Sequence, residues 1–300
     1  MSLLSLDEQA ARERWLSQRK KGLGGSDAAS AAGVDPYRDA LTLWSEKCGL
    51  IEPADLSNNE AVEAGNALER AIGEWYGKRY GRDVTLGVPF QLLRSPKWPW
   101  MFATLDATQV IDGETGVVQI KNTSFAADAW EESLPVGYEI QLTHEMLVAG
   151  VTRGTLVALH RGQQLRAYDR VLNTELADAL VAAEAKFWSL VEAETPPEAG
   201  PNSTDAIKKL FPRVEVADLV ALGHEIDDAD MELEGIRGQI GTLESRKDEI
   251  ENRIKLLIGS HAGGVTPQGT RFTWKGSEVH HKPREASVSY VRRFLRSKAR

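Results

Sequence analysis

Apolar positions fall into two regimes along the 300 residues, with a change near residue 195. Before it, segments of helical and of strand period alternate. Residues 26–32, 40–49 and 59–80 read as helices, and in the third Leu68, Ile72 and Trp75 recur at i, i+4 and i+7, which predicts a stripe facing the core. Segments 84–92 and 101–110 are apolar and β-prone, and Asp112-Gly113-Glu114-Thr115-Gly116 supplies turn chemistry before a further strand at 117–122. Helices at 136–150 and 174–194 flank strands at 154–160 and 164–172, which meet at Arg161-Gly162. The order α-β-β-β-α-β-β-α predicts an α/β (α+β) fold with a mixed sheet flanked by helices.

Pro196, Pro197, Gly200, Pro201 and Ser203 then break the pattern. From Leu219 to Leu257 apolar residues alternate spacings of three and four, interrupted only by Lys247, as in a coiled coil. A helix over 216–258 would extend roughly 65 Å at ~1.5 Å per residue. Gly235, Gly238 and Gly241 weaken its middle, so a hairpin folded back within the chain is the favoured arrangement. The expected organisation is a core over 1–200, a linker over 201–215, a heptad-patterned helix or hairpin over 216–258, and a short β segment with a basic tail over 259–300.

Composition narrows the classes. Cys48 is the sole cysteine, which excludes an internal disulfide and a four-cysteine metal site in one chain. A metal would have to sit on oxygen or histidine. No apolar run of 18 residues and no secretory leader pattern occur, so a cytoplasmic protein is expected, with no membrane partner. The net charge of -8 opposes nucleic-acid binding, but basic residues cluster at 12–21 and again at 282–300.

The chemistry concentrates around Asp106. A turn separates it from Gln119-Ile120-Lys121, and two antiparallel strands would set Asp106 beside residue 119. Alternation then puts Gln119 and Lys121 on one face and Ile120 in the core. Hard Mg²⁺ prefers carboxylate and carbonyl oxygens, and a nearby lysine can orient an attacking water, so an acid at 119 would complete a phosphodiester-hydrolysing site.

Several ordered motifs go further. Gly22-Leu23-Gly24-Gly25-Ser26-Asp27-Ala28-Ala29, Asp35-Pro36-Tyr37, Leu43-Trp44-Ser45-Glu46-Lys47, Gly65-Asn66-Ala67-Leu68-Glu69, Thr104-Leu105-Asp106-Ala107 and Tyr138-Glu139-Ile140-Gln141-Leu142 resemble, in order, the motifs of YqaJ-like phage recombinases and of the lambda-exonuclease group. The resemblance covers roughly residues 12–195. It implies a PD-(D/E)XK, restriction-endonuclease-like core, to which the heptad pattern adds a C-terminal helical, coiled-coil-like appendage. It also implies Mg²⁺, with Mn²⁺ as a substitute, held by Glu69, Asp106, residue 119 and the Ile120 carbonyl, with Lys121 serving the water. Arg19, Ser26, Thr104 and Gln141 would hold a terminal 5′-phosphate, and Ser26, opening a helix after two glycines, suits an anion. The implied activity is 5′-to-3′ digestion of double-stranded DNA, leaving 3′ overhangs for recombination with a single-strand annealing protein. The implied assembly is a homo-oligomer, a trimeric ring.

Gln119 stands where the family carries glutamate. An amide brings no charge, so metal binding and hydrolysis are expected to be impaired. An engineered inactive form and a natural copy that only binds DNA both fit that exchange. Two other classes remain: a metal-dependent DNA endonuclease and a catalytically inert recombination protein. His280-His281 read as surface, His144 as structural or near DNA, and Trp44, Trp75 and Trp130 as core aromatics.

Overall fold

The computed structural model describes residues 6–56, 58–214 and 218–274. Its helices are α1 (Leu6–Arg19), α2 (Gly25–Ala31), α3 (Ala40–Lys47), α4 (Glu60–Tyr80), α5 (Val136–Ala149), α6 (Thr174–Glu192), α7 (Thr204–Leu210) and α8 (Glu225–Ile258). The strands are β1 (Asp83–Leu86), β2 (Leu93–Arg94), β3 (Phe102–Ala103), β4 (Ala107–Ile111), β5 (Glu114–Thr123), β6 (Arg153–His160), β7 (Gln164–Val171), β8 (Gly263–Val265) and β9 (Arg271–Thr273). Contacts divide the chain into a larger unit ending at Pro212 and a smaller one beginning at Arg213.

The larger unit is organised around β5. Asp112 and Gly113, both at positive φ, turn β4 into β5, and the pair zips in register from Ile111 opposite Glu114 to Ala107 opposite Val118. Four consecutive residues of β5, Val117 to Ile120, are buried, so the strand is covered on both faces. Val118 and Ile120 pack against Ile72 and Tyr76 of α4, whereas Val117 packs against Leu142 and Met146 of α5. The five-stranded sheet has the order β1-β4-β5-β6-β7, antiparallel except where β5 and β6 run parallel. A parallel pair needs a crossover, and α5 supplies it by running back against the direction of β5. Beyond α5, Ala28 and Ala29 of α2 join Ile140 and Leu180 in a third layer.

Several expectations are corrected. The segment 101–110 is two strands, because β3 pairs with β2 in a separate small sheet and 104–106 crosses between them, with the Asp106 carbonyl accepting from the Gly87 N–H at 2.8 Å. The buried stripe of α4 is Ile72, Gly73 and Tyr76, while Leu68 and Trp75 are 38% and 39% exposed. Gly73 sets that rotation: a Cβ there would stand 2.6 Å from Leu86 Cδ2 and 3.0 Å from Ile120 Cδ1, so the helix lies against the sheet at its backbone. Trp44 and Trp130 are core, as expected, and Trp75 is not. Helix α1 was not anticipated, and α7 lies inside the expected linker.

The smaller unit also departs from expectation. The heptad segment becomes helical only at Glu225, and α8 continues through Gly235, Gly238 and Gly241 to Ile258 as a single helix, not a hairpin. Ile236, Ile240, Leu243 and Ile250 are exposed along it. A glycine costs only ~1 kcal/mol in a helix, which a 34-residue helix absorbs without breaking. The β8–β9 pair includes part of the expected strand at 270–274. The basic tail and His280-His281 lie outside the described residues.

One buried charge organises the N-terminal helices. Asp27, 2% exposed, accepts from Lys47 Nζ at 2.8 Å, from Arg38 Nη2 at 2.7 Å and from the Gly24 N–H at 3.1 Å, with Arg19 at 3.7 Å. Burial raises its carboxyl, but the charges of Lys47, Arg38 and Arg19 outweigh that and hold it far below the usual carboxylate range. A depressed folded pKa contributes stability above the unfolded value of about 4, lost as pH falls further. Urea unfolding of Asp27→Ala at neutral pH should therefore show a loss of about 3–5 kcal/mol, because three cations are left without their acid. A loss under about 1 kcal/mol would show that the cluster is not a structural hub.

Candidate active site

Register delivers the first site residue. Because Ala107 faces Val118, Asp106 stands at the head of β4 beside residue 119, and its Oδ2 accepts from the Ile120 N–H at 2.7 Å. Burial raises the Asp106 carboxyl, opposed by the Lys121 charge and that backbone bond. Glu69 reaches the same region from α4. Burial and then the charge of Asp106 push its carboxyl up to about 7, with Lys121 opposing. Three segments distant in sequence thus share one electrostatic neighbourhood.

Lys121 is held from the α5 side. Its Nζ donates to Gln141 Oε1 at 3.2 Å and lies 5.3 Å from the Tyr138 ring centre. Gln141 in turn donates through Nε2 to Glu145 Oε1 at 2.8 Å, one helical turn further along α5. Glu145 is 2% exposed, and burial followed by the Asp106 charge pushes its carboxyl up to about 8. Sequence reasoning did not single out Glu145. Its signal was the i,i+4 spacing from Gln141, which puts both on one helix face.

Gln119 is fully buried, and among the described residues neither its Oε1 nor its Nε2 has a partner; Glu145 Oε2 is also unpartnered. A buried polar group left so costs about 1–3 kcal/mol, which argues that these atoms are meant for something other than packing. Among the described residues no three His, Cys, Asp or Glu side chains gather into a metal-holding group. The oxygen donors present are carboxylates, one amide and backbone carbonyls, a set that suits a hard divalent cation.

The expected phosphate residues sit alongside. Arg19 Nη2 donates to Ser26 Oγ at 2.7 Å, and the same guanidinium lies 4.7 Å from the Trp15 ring centre. Trp15 Nε1 donates to Thr104 Oγ1 at 2.8 Å, so one indole links Arg19 to Thr104. Gly25 closes the gap to the relay, since a Cβ there would lie 2.9 Å from Glu145 Oε1 and 3.1 Å from Gln141 Cγ. Ser26 is the second residue of α2 and the cap is Gly24, so Ser26 is not an N-cap. Arg12, Arg19, Lys20 and Ser26 line a groove of about 1080 Å³. His144 is structural: buried, it bonds Glu184 Oε1 and the Phe102 carbonyl, both at 2.8 Å.

This order of elements and side chains has known counterparts. Residues 14–152 match the YqaJ-like viral recombinase domain. The chain is also 28% identical over 260 residues to the uncharacterised protein YqaJ of Bacillus subtilis, an alignment that covers 84% of this chain and 80% of that protein. The fold is that of an alkaline exonuclease from Laribacter hongkongensis, with a TM-score of 0.52 at 18% identity over 61% of this chain and 94% of that one. A structure of the same exonuclease in complex with dAMP gives a TM-score of 0.50 at 19% identity, over 66% and 96% of the two chains. The mixed sheet with its flanking helices is therefore shared. No helix among the described residues is long and apolar enough to cross a membrane.

The raised carboxyls of this site have a consequence for stability. Glu69 and Glu145 are raised above ordinary values in the folded chain, so their contribution is full below about pH 4.3 and is lost as pH rises through about 7 and about 8. Metal-free protein with EDTA should accordingly unfold at lower urea at pH 9 than at pH 6. Asp106→Asn should shrink that difference by removing the shared repulsion; an undiminished difference would show that Asp106 is not the charge that raises the two glutamates.

Proposed function

We propose that the chain is a Mg²⁺-dependent, 5′-to-3′ exonuclease on double-stranded DNA that leaves 3′ single-strand overhangs for recombination. The convergence of Glu69, Asp106 and Lys121, one residue contact away from the Arg19–Ser26 pair, carries this reading. Asp106, the Gln119 amide oxygen and the Ile120 carbonyl would hold the cation, with Glu69 on the opposite flank. Bound there, Mg²⁺, or Mn²⁺ in its place, supplies a water of lowered pKa and offsets charge at the scissile phosphate. Lys121, steadied by Gln141 and Tyr138, orients that water and faces the phosphorane charge. Arg19, Ser26, Thr104 and Gln141 would position the terminal 5′-phosphate. Judged from β5 alone, Gln119 leaves the site one charge short and hydrolysis impaired. A homo-oligomeric ring and an annealing partner belong to the same proposal.

The test is digestion of linear duplexes with 5′-phosphate or 5′-hydroxyl ends, beside closed circular DNA. A charge-assisted contact is worth about 1.5–3 kcal/mol, so phosphorylated ends should be digested at least about tenfold faster, and Arg19→Ala should erase the preference. Asp106→Ala should abolish release of nucleotides. Cleavage of closed circles would favour the endonuclease reading. Equal rates on both ends would remove the phosphate pocket and leave the metal site standing.

A further inference from the structure

Under the nuclease reading, the β4–β5 pair offers one carboxylate, Asp106, where two are expected, and a buried acid lies nearby on α5. We propose that Glu145 supplies the carboxylate that Gln119 lacks, so that Asp106, Glu145 and the Gln119 amide oxygen together make the divalent-cation site. Topology puts the two residues side by side. Lys121 touches Gln141, and α5 runs opposite to β5, so stepping back two residues along the strand and forward four along the helix leads the same way. Those steps are roughly 6.6 Å and roughly 6 Å, which brings Glu145 level with Gln119. The side chain of 119 points to the α5 face by alternation with Val117, which packs on Leu142 and Met146.

Unpartnered atoms mark the gap between them. Among the described residues, Gln119 Oε1 and Nε2 and Glu145 Oε2 are buried without a hydrogen bond, and they do not bond one another. The charges of Lys121 and His144 act on Glu145 without forming an ion pair with it. His144, its neighbour in the chain, spends both ring nitrogens on Glu184 and Phe102, and Lys121 Nζ reaches Gln141 instead. Room for the carboxylate is made by Gly25, whose missing Cβ would strike Glu145 Oε1. Buried hard oxygens on Asp106, Glu145 and Gln119, brought together between β5 and α5, suit a divalent cation. Relocating the charge from strand to helix keeps the number of acids while changing the element that carries it.

The probe is MnCl₂ alone, titrated calorimetrically into the intact protein and into Glu145→Gln, Gln119→Glu and the double variant. Glu145→Gln should bind Mn²⁺ at least about tenfold more weakly than the wild type. The double variant, with the charge returned to β5, should recover to within about threefold. In EDTA, Glu145→Gln should melt at or above the wild-type temperature because it removes a buried carboxyl whose Oε2 has no partner among the described residues. Glu145→Asp, which keeps the charge but withdraws it, should also weaken binding, and it decides the matter if Glu145→Gln does not fold. Unchanged affinity in Glu145→Gln, or a double variant no better than Glu145→Gln, overturns the proposal. Wild-type digestion of DNA with unchanged Glu145→Gln affinity removes this inference alone, whereas a wild type that neither binds Mn²⁺ nor digests DNA removes the nuclease reading with it.

Discussion

The register of β4 against β5 is the constraint on which the rest depends. With Ala107 opposite Val118, Asp106 is delivered to residue 119 and its carboxylate is gripped by the Ile120 N–H. The same alternation sends Ile120 into the α4 core and Gln119 and Lys121 toward α5. A slip by one residue would exchange those faces, moving the site into the core and the core into the site. The turn at Asp112-Gly113 fixes the register locally, and burial of β5 on both faces fixes it globally.

Helices then complete what the hairpin begins. α4 brings Glu69, α5 brings Gln141 and Glu145, and α2 brings Ser26 up to the relay at a glycine. Each approach is close because a side chain is absent, at Gly73 against the sheet and at Gly25 against Glu145. The Asp27 cluster acts at a second level: it ties α2 to α3 and to the end of α1, and so steadies the helix end that presents Arg19. The buried charges therefore divide into a neutralised cluster that holds helices and a second cluster in which burial and the charge of Asp106 raise Glu69 and Glu145.

Much of this was legible in the sequence, for identifiable reasons. The β4–β5 turn, the alternation at 119–121 and the helices 136–150 and 174–194 follow from local chemistry and were read close to their bounds. What depends on tertiary contact was not. The break at 104–106 comes from pairing with a second sheet, and the rotation of α4 comes from Gly73 meeting Leu86 and Ile120. Glu145 carries no sequence signal beyond its spacing from Gln141, because its distinction is burial. The heptad pattern gave the existence of α8, but the glycines suggested a fold-back that the helix does not make.

The central claim is that the buried, unpartnered oxygens beside Asp106 are cation ligands in a DNA-cleaving site. Anomalous diffraction from crystals grown with Mn²⁺ and a 5′-phosphorylated duplex tests it most directly. The account places a manganese peak at about 2.0–2.3 Å from an Asp106 oxygen and from the Gln119 amide oxygen, with the terminal phosphate against Arg19 and Ser26. A manganese peak elsewhere, or DNA bound away from Asp106 with Gln119 still unpartnered, would contradict it.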